Sequence, residues 1–286
     1  MPPVFGVLFD GLAYGMLLFL MSVGLSVTLG MMNFVNLAHC SFAMLGAYVI
    51  VTLMNAWGWP FFASLPVAFI AAALASIVLE RLFFRRFYNA SELSQCLLTI
   101  GIVFVSIAGA AYIYGTDVQS VQMPHYLLGS VNVLGVDLAI YRLFLIGIAL
   151  LITVLLGVTI ESTRFGAQVR AAVNNQRMAR GLGINVDGLF AITFALGSGL
   201  AGLGGALAIA MLGLDPSFAL TYLIYVLIVV SVGGLGSISG SFIAATLLGV
   251  SDIAGKYYVP AVGSFLIYLV MIVLMMWRPA GLFGRR

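Results

Sequence analysis

Long apolar runs are the feature that most constrains the fold of this chain. Helices of about 20 apolar residues cross a hydrocarbon core of ~30 Å, and a backbone in lipid must satisfy its hydrogen bonds internally. The sequence therefore predicts an all-α, polytopic membrane protein of about eight or nine membrane segments, folded as a single transmembrane domain over residues 1–286. The predicted segments are 8–30, 39–54, 60–80, 94–115, 142–160, 188–212, 221–232, 238–252 and 261–277.

Composition agrees with this class. The chain is 63% hydrophobic and 7% charged, whereas a soluble domain is roughly half apolar and a quarter charged. The net charge of +3 is small and scattered, so we expect a lipid membrane and no nucleic acid as its surroundings. Because the first basic residue is Arg81, we expect no secretory leader with a basic start.

Arginine placement predicts the orientation. Ten of the twelve basic residues lie in RLFFRR at 81–86, in 164–180 and in WRPAGLFGRR at 277–286. The positive-inside rule assigns these three stretches to the cytoplasm. Counting the crossings then predicts an N-terminus outside, a C-terminus in the cytoplasm and an external polar loop at 116–141.

Two polar stretches interrupt the apolar pattern, MMNFVNLAHCS at 31–41 and GGLGSISG at 233–240. The segments beside the second stretch, 221–232 and 238–252, are short for full crossings, which predicts short broken or re-entrant helices. Irregular backbone inside a membrane is tolerated where it lines a wet cavity, and broken helices often mark a substrate path. A lone histidine also serves often as a structural group, so that alternative stays open. The candidate path residues are Asn33, Asn36, His39, Ser41, Gly233, Gly234 and Gly236.

The polar stretch RAAVNNQRMARGLGINVDG at 170–188 lies between apolar runs. If residues 170–182 form one helix, its apolar and polar residues separate onto two faces, and the glycines Gly181 and Gly183 end it. The helix is either an interfacial helix or a docking helix for a soluble partner. The apolar face would hold Ala171, Ala172, Met178, Ala179 and Leu182; the polar face would hold Arg170, Asn174, Gln176, Arg177 and Arg180.

Small residues recur every four positions in ALGSGLAGLGGALA at 195–208. One series is Gly197, Ala201 and Gly205, and the other is Ser198, Gly202 and Ala206. Such stripes let membrane helices approach closely. The pattern predicts tight packing within the fold.

The position of the charged residues indicates the source of energy for transport. The acidic and basic residues Asp10, Glu80, Arg142, Glu161 and Asp252 all lie near predicted segment ends, whereas ion-coupled carriers place charges within the membrane. The only lysine, Lys256, is not part of a phosphate-binding G-x-x-x-x-G-K-[ST] motif. Energy for transport would then come from separate subunits, which favours the docking helix.

Four motifs, in family order, resemble those of bacterial branched-chain amino-acid ABC transporter permeases. They are NFVNLAHCSFAMLGAYV, RAAVNNQRMARGLGINVDGLFAITFALGSGLAGLGGALA, GGLGSISGSFIAATLLG and RPAGLFG. Length and charge pattern resemble the first of the two permeases in such systems. The resemblance implies an importer of branched-chain or related amino acids in the inner membrane. It also implies a second homologous permease, two cytoplasmic ATPase subunits and a periplasmic solute-binding protein.

The resemblance further implies a cytoplasmic coupling loop at about 162–187, which seats in a groove of the ATPase. The matching positions are Arg170, Ala171, Ala179, Gly183, Ile184 and Asn185, and the polar face adds Arg177 and Arg180. After His39 the family commonly has a glycine and then a small or acidic residue, whereas Cys40 and Ser41 follow here. The transported solute therefore stays open.

Two other classes of function are alternatives to this interpretation. A stand-alone channel or facilitator for a small polar solute, such as urea or a short amide, would also need no central charges. A membrane enzyme finds no support, because His39 and His125 are far apart and no nucleophile–base pair is apparent. The sequence predicts no catalytic residue, no metal site and no cofactor.

Overall fold

The computed structural model describes residues 4–32, 34–88, 90–133 and 136–284. Within these ranges, seven helical spans are long and apolar enough to cross a membrane, and two shorter apolar helices accompany them. The prediction of an all-α, multi-pass membrane protein is confirmed. The helices are α1 Val4–Met32, α2 His39–Val51, α3 Phe61–Leu82, α4 Glu92–Tyr114, α5 Ile140–Ser162, α6 Arg164–Asn174, α7 Gln176–Gly181, α8 Val186–Leu212, α9 Phe218–Gly233, α10 Ile238–Tyr258 and α11 Gly263–Trp277.

Each predicted segment corresponds to one helix, and the main differences lie at the ends. A π-helical turn, Thr52–Ala56, extends α2 to the length of a span. The prediction that 238–252 is a short segment is wrong, because α10 continues to Tyr258 and has 21 residues. The predicted segment stops at the charged Asp252, but Asp252 pairs with Lys256 one turn later, and such a pair supports a helix.

The centre of the bundle is built where α8 meets α1 and α2. A Cβ atom added at Gly24 in α1 would lie 2.1 Å from the Gly197 carbonyl oxygen, and one at Gly46 in α2 would lie 2.1 Å from that of Gly202. A Cβ at Gly205 would lie 2.0 Å from the Ala43 carbonyl oxygen. The backbones therefore touch, and the predicted packing role of the small-residue stripes is confirmed. We call these contacts the glycine seam.

Helix α1 has a second close neighbour in α10. A Cβ atom at Gly249 would lie 2.4 Å from the Cα of Gly15, and one at Gly11 would lie 2.6 Å from the Cα of Val250. Since α1 also touches α8, it lies between two helices at backbone contact. Most of its residues from Ala13 to Ser26 are buried, which explains why this helix is apolar on all sides.

A small sheet interrupts the loop predicted at 116–141. Strand β1, Ser130–Val133, pairs with the antiparallel strand β2, Val136–Ala139, and Asn132 lies opposite Asp137. Gln119 of the same loop forms a β-bridge with Leu214, just before α9. The strands have only four residues each, too short for a clear alternating pattern in sequence.

Candidate functional site

Contacts between the connecting segments gather the three arginine-rich stretches at one end of the molecule. After α3, Arg85 Nη2 lies 3.0 Å from Asp187 Oδ2, and Arg180 Nη2 lies 2.7 Å from Asp187 Oδ1. The Phe283 amide of the C-terminal stretch donates to the Gly233 carbonyl, and nearby Gly236 contacts Gly30 at the end of α1, which packs against the first half of α8. We call this the arginine-rich end; Arg285 and Arg286 lie outside the described residues.

The predicted helix 170–182 is in fact two helices, so that prediction is wrong. Asn175 separates α6 from α7, and its backbone is extended, with φ −158° and ψ 97°. The Asn175 Oδ1 atom accepts a hydrogen bond of 2.9 Å from the Met178 amide and so caps α7. Asparagine competes with the helical backbone in this way, and an asparagine at an N-cap is favourable. Gly183, with φ +81°, follows α7 as predicted.

The break also changes which side chains face outward. Ala172 and Ala179 are buried, as predicted for the apolar face. Met178 and Leu182, however, are 68% and 80% exposed, so they do not share that inner face. The loop thus presents two large apolar side chains to its surroundings, beside the exposed Arg177.

Some of the predicted coupling residues bond to other parts of the chain, and others do not. Arg170 donates to the Ile160 carbonyl oxygen, Arg180 pairs with Asp187, and Asn185 caps α8 by accepting from the Gly188 amide at 3.0 Å. Arg177 makes no salt bridge among the described residues and is exposed. Of the others, Ala171 and Ile184 are partly buried, and Gly183 is exposed.

The first polar break runs back along α1. His39, the first residue of α2, places its Nε2 atom 3.0 Å from the Met21 carbonyl oxygen. Met21 precedes the end of α1 by eleven residues, which is about 16 Å of helix. Residues 34–38 therefore run antiparallel to α1, back along its last turns, and α2 begins deep in the bundle. This geometry agrees with irregular backbone inside the membrane; Asn33 lies outside the described residues.

Hydrogen bonds fix the side chains of this break. Asn36 is buried; its Oδ1 accepts from the Ala38 amide at 3.1 Å, while its Nδ2 has no partner within the described part of the chain. Ser41 accepts a hydrogen bond of 2.8 Å from Ser106. His39 is buried and bonded to a carbonyl oxygen, as a structural histidine would be.

The second break, at 233–240, touches the end of α1. The Gly236 amide donates to the Ser26 carbonyl at 3.1 Å, and a Cβ at Gly30 would lie 2.2 Å from the Gly236 Cα. Gly234 and Gly236 have φ of +95° and +77°, a region that favours glycine. Gly233 accepts from the C-terminal stretch. The second break therefore contacts the last turns of α1, the helix that His39 of the first break also contacts.

Two residues that sequence reasoning did not single out support these breaks. Gln95, buried in the first turn of α4, accepts a hydrogen bond of 3.0 Å from the Val35 amide and donates one of 3.1 Å to the Phe87 carbonyl. Tyr88 donates a hydrogen bond of 2.6 Å to the buried Glu80. Burial, together with this bond, raises the pKa of Tyr88. The signal in the sequence is weak: both residues lie in the polar stretch RRFYNASELSQ at 85–95, next to an apolar run.

Two surface grooves are present, and neither is lined by the predicted path residues. One, with a volume of about 410 Å³, lies between α3 and α8 from Ala73 to Arg81 and from Gly188 to Leu196. The other is a narrow, apolar recess that includes Gly24, Phe165 and Gly197. Of the described path candidates, Gly236 is exposed, and the others, Asn36, His39, Ser41, Gly233 and Gly234, are buried. The buried hydroxyls of Ser26, Ser198 and Ser241 have no partner among the described residues.

Comparison with known proteins assigns the chain to a family. The family described as "Branched-chain amino acid transport system / permease component" matches residues 7–275. The chain belongs to this permease family. No solved structure matches it.

Among curated relatives, the chain is 29% identical to a chain of Methanocaldococcus jannaschii named as a probable branched-chain amino acid transport permease, LivH, over 97% of this chain and 92% of the relative. It is 27% identical to the high-affinity branched-chain amino acid transport permease BraD of Pseudomonas aeruginosa, over 97% and 95%. It is also 27% identical to LivM of Escherichia coli K12, over 93% of this chain but only 68% of LivM. Its length thus matches the LivH and BraD type.

Proposed function

We propose that the chain is the transmembrane permease subunit of an ATP-driven importer for branched-chain or related amino acids. Its partners would be a second homologous permease, two cytoplasmic ATPase subunits and a periplasmic solute-binding protein. The relatives named LivH, BraD and LivM support the solute class and the pairing with a second permease. The chain would form a single permease domain in the inner membrane.

The observation that carries this proposal is the loop of α6 and α7 at the arginine-rich end. Three basic stretches share this end, which supports a cytoplasmic position under the positive-inside rule. With the C-terminal stretch on that side, the N-terminus would lie outside. A soluble partner would cover the exposed Met178 and Leu182, and acidic groups at its rim would pair with Arg177. Residues at about 162–187 would then form the coupling loop.

The contacts of the loop supply a route for motion. Helix α6 packs against the end of α5, since a Cβ at Gly166 would lie 2.0 Å from the Ile160 carbonyl oxygen. Asp187 ties the other end of the loop to Arg85, beyond α3. Helix α8 follows directly and meets α1 and α2 at the glycine seam. Because packed backbones do not compress, a displacement of the loop would move α8 against α1 and α2, the two helices that the first break connects.

The test is ATP-dependent uptake by the reconstituted importer carrying Arg177→Glu. Reversing an exposed interfacial charge places like charges together, which costs several kcal/mol at an interface, so we expect uptake to fall by about tenfold or more. Arg177→Lys keeps the charge and serves as the matched control. The amount of purified permease should be the same for all three proteins.

Two results would contradict the proposal. Uptake and ATP hydrolysis by Arg177→Glu at the level of the wild type would remove the coupling role of this residue. Solute flux through vesicles that contain this chain alone, without ATP, would instead support the stand-alone facilitator.

A further inference from the structure

A fully buried carboxylate lies inside α10. Asp252 is 0% exposed and follows the start of α10 by fourteen residues, which is about 21 Å along the helix. Its Oδ2 accepts a hydrogen bond of 2.6 Å from Lys256 Nζ, whereas its Oδ1 has no partner among the described residues. An ionisable residue within a membrane segment is costly and indicates a functional site.

Tyrosine rings of three neighbouring helices accompany the Asp252–Lys256 pair. Lys256 Nζ lies 5.8 Å from the ring centroid of Tyr14 in α1. The Tyr225 ring lies 6.0 Å from that of Tyr222 and 6.3 Å from that of Tyr268. Tyrosine faces attract ammonium groups. One anionic group among tyrosines is therefore a suitable environment for a small organic cation. Helices α9 and α11, which carry Tyr222, Tyr225 and Tyr268, both pack against α10.

The present partner of Asp252 is itself an ammonium group. Lys256 is the only lysine of the chain, and the other eleven basic residues are arginine. A lysine ammonium is a compact point charge, unlike the planar guanidinium, and it matches the α-ammonium of an amino acid. The Lys256 side chain is 46% exposed while that of Asp252 is not exposed at all, so Lys256 is the member of the pair that reaches the surface.

We propose that Asp252 transiently binds the ammonium group of the passing amino acid and that Lys256 occupies this position between passages. Exchange of one ammonium for another keeps the carboxylate paired, and so avoids the large penalty of an unpaired buried charge. The displaced Lys256 side chain moves into the accessible space that it already borders. This inference rests on the proposed function and adds the group of the solute that the permease recognises.

The experiment measures the initial rate of ATP-dependent leucine uptake by the complete reconstituted importer, with saturating binding protein. We expect Asp252→Asn to slow uptake by about tenfold or more, since charge-assisted hydrogen bonds are roughly twice as strong as neutral ones. Lys256→Arg should also slow uptake, because a guanidinium can bind both carboxylate oxygens and leaves less readily. The double variant Asp252→Asn/Lys256→Gln should stay as slow as Asp252→Asn.

A purely structural ion pair gives a different pattern. In that case Lys256→Arg transports normally, and the double variant recovers what Asp252→Asn loses; either result overturns the inference. Wild-type uptake by Asp252→Asn overturns it as well. If Asp252→Asn does not assemble, the uptake rate of Lys256→Arg alone tests the inference. Asp10→Asn is the matched control, since Asp10 pairs with Arg142 between α1 and α5 and should leave uptake unchanged. Absence of uptake by the wild type would refute the proposed function instead.

Discussion

The glycine seam allows the most quantitative prediction, for the substitution Gly205→Ala. The new Cβ would lie 2.0 Å from the Ala43 carbonyl oxygen and 2.5 Å from the Ala43 carbonyl carbon. Both are backbone atoms, so no side-chain rotation can relieve the clash. Ordinary contact begins near 3.4 Å, and α2 and α8 would have to separate by roughly 1.4 Å, the difference between 3.4 and 2.0 Å.

Overpacking of this kind costs about 1–3 kcal/mol, which for a chain of this size lowers Tm by roughly 3–10 °C. The assay is thermal unfolding of the purified permease in detergent. Gly147→Ala in α5 is the matched control, because an added Cβ there meets nothing within 4 Å. It should keep the stability of the wild type or raise it by up to about 1 kcal/mol, as alanine favours helix over glycine. Equal melting temperatures for the two variants would refute backbone contact between α2 and α8.

Two further substitutions test the support of the site. Tyr88→Phe leaves the buried Glu80 without its 2.6 Å hydrogen bond, so the free energy of unfolding at pH 7 should fall by about 1–3 kcal/mol. Because burial raises the pKa of Tyr88 in the folded state, the wild type should lose stability as pH rises above ~10. Melting temperatures measured against pH should show this loss in the wild type and not in Tyr88→Phe. The same pH dependence in both proteins would contradict the prediction. Asn175→Ala removes the cap of α7, which should lower the free energy of unfolding by about 1 kcal/mol, and it favours one continuous helix. The variant should transport less solute per ATP hydrolysed. An unchanged ratio would mean that the break is not needed for coupling.

The sequence predicted the helices well because hydrophobic length dominates folding in a membrane. The nine segments correspond to nine helices, and the small-residue stripes of α8 pack as expected. The errors occurred where a single polar residue decides the local structure. Asn175 breaks a helix that periodicity alone continues, and Asp252 lies inside a helix that was ended at its charge.

The candidate site could be predicted only in outline. The two breaks were recognisable because polar and glycine residues interrupt apolar runs. The contact of the second break with α1, through Gly236 and Gly30, joins positions about two hundred residues apart in sequence, and no local pattern encodes such a pairing. The Asp252 environment depends likewise on tyrosines from separate helices. The roles of the predicted coupling and path residues stay predictions.

The most direct test is solute accumulation by the reconstituted assembly. Vesicles containing this permease, its paired permease and the ATPase subunits receive liganded binding protein outside and ATP inside, with the arginine-rich end facing the ATP. Our account predicts accumulation of branched-chain amino acid above its external concentration, only with ATP and all partners present. Accumulation without the ATPase subunits, or an arginine-rich end found on the side of the binding protein, would contradict it.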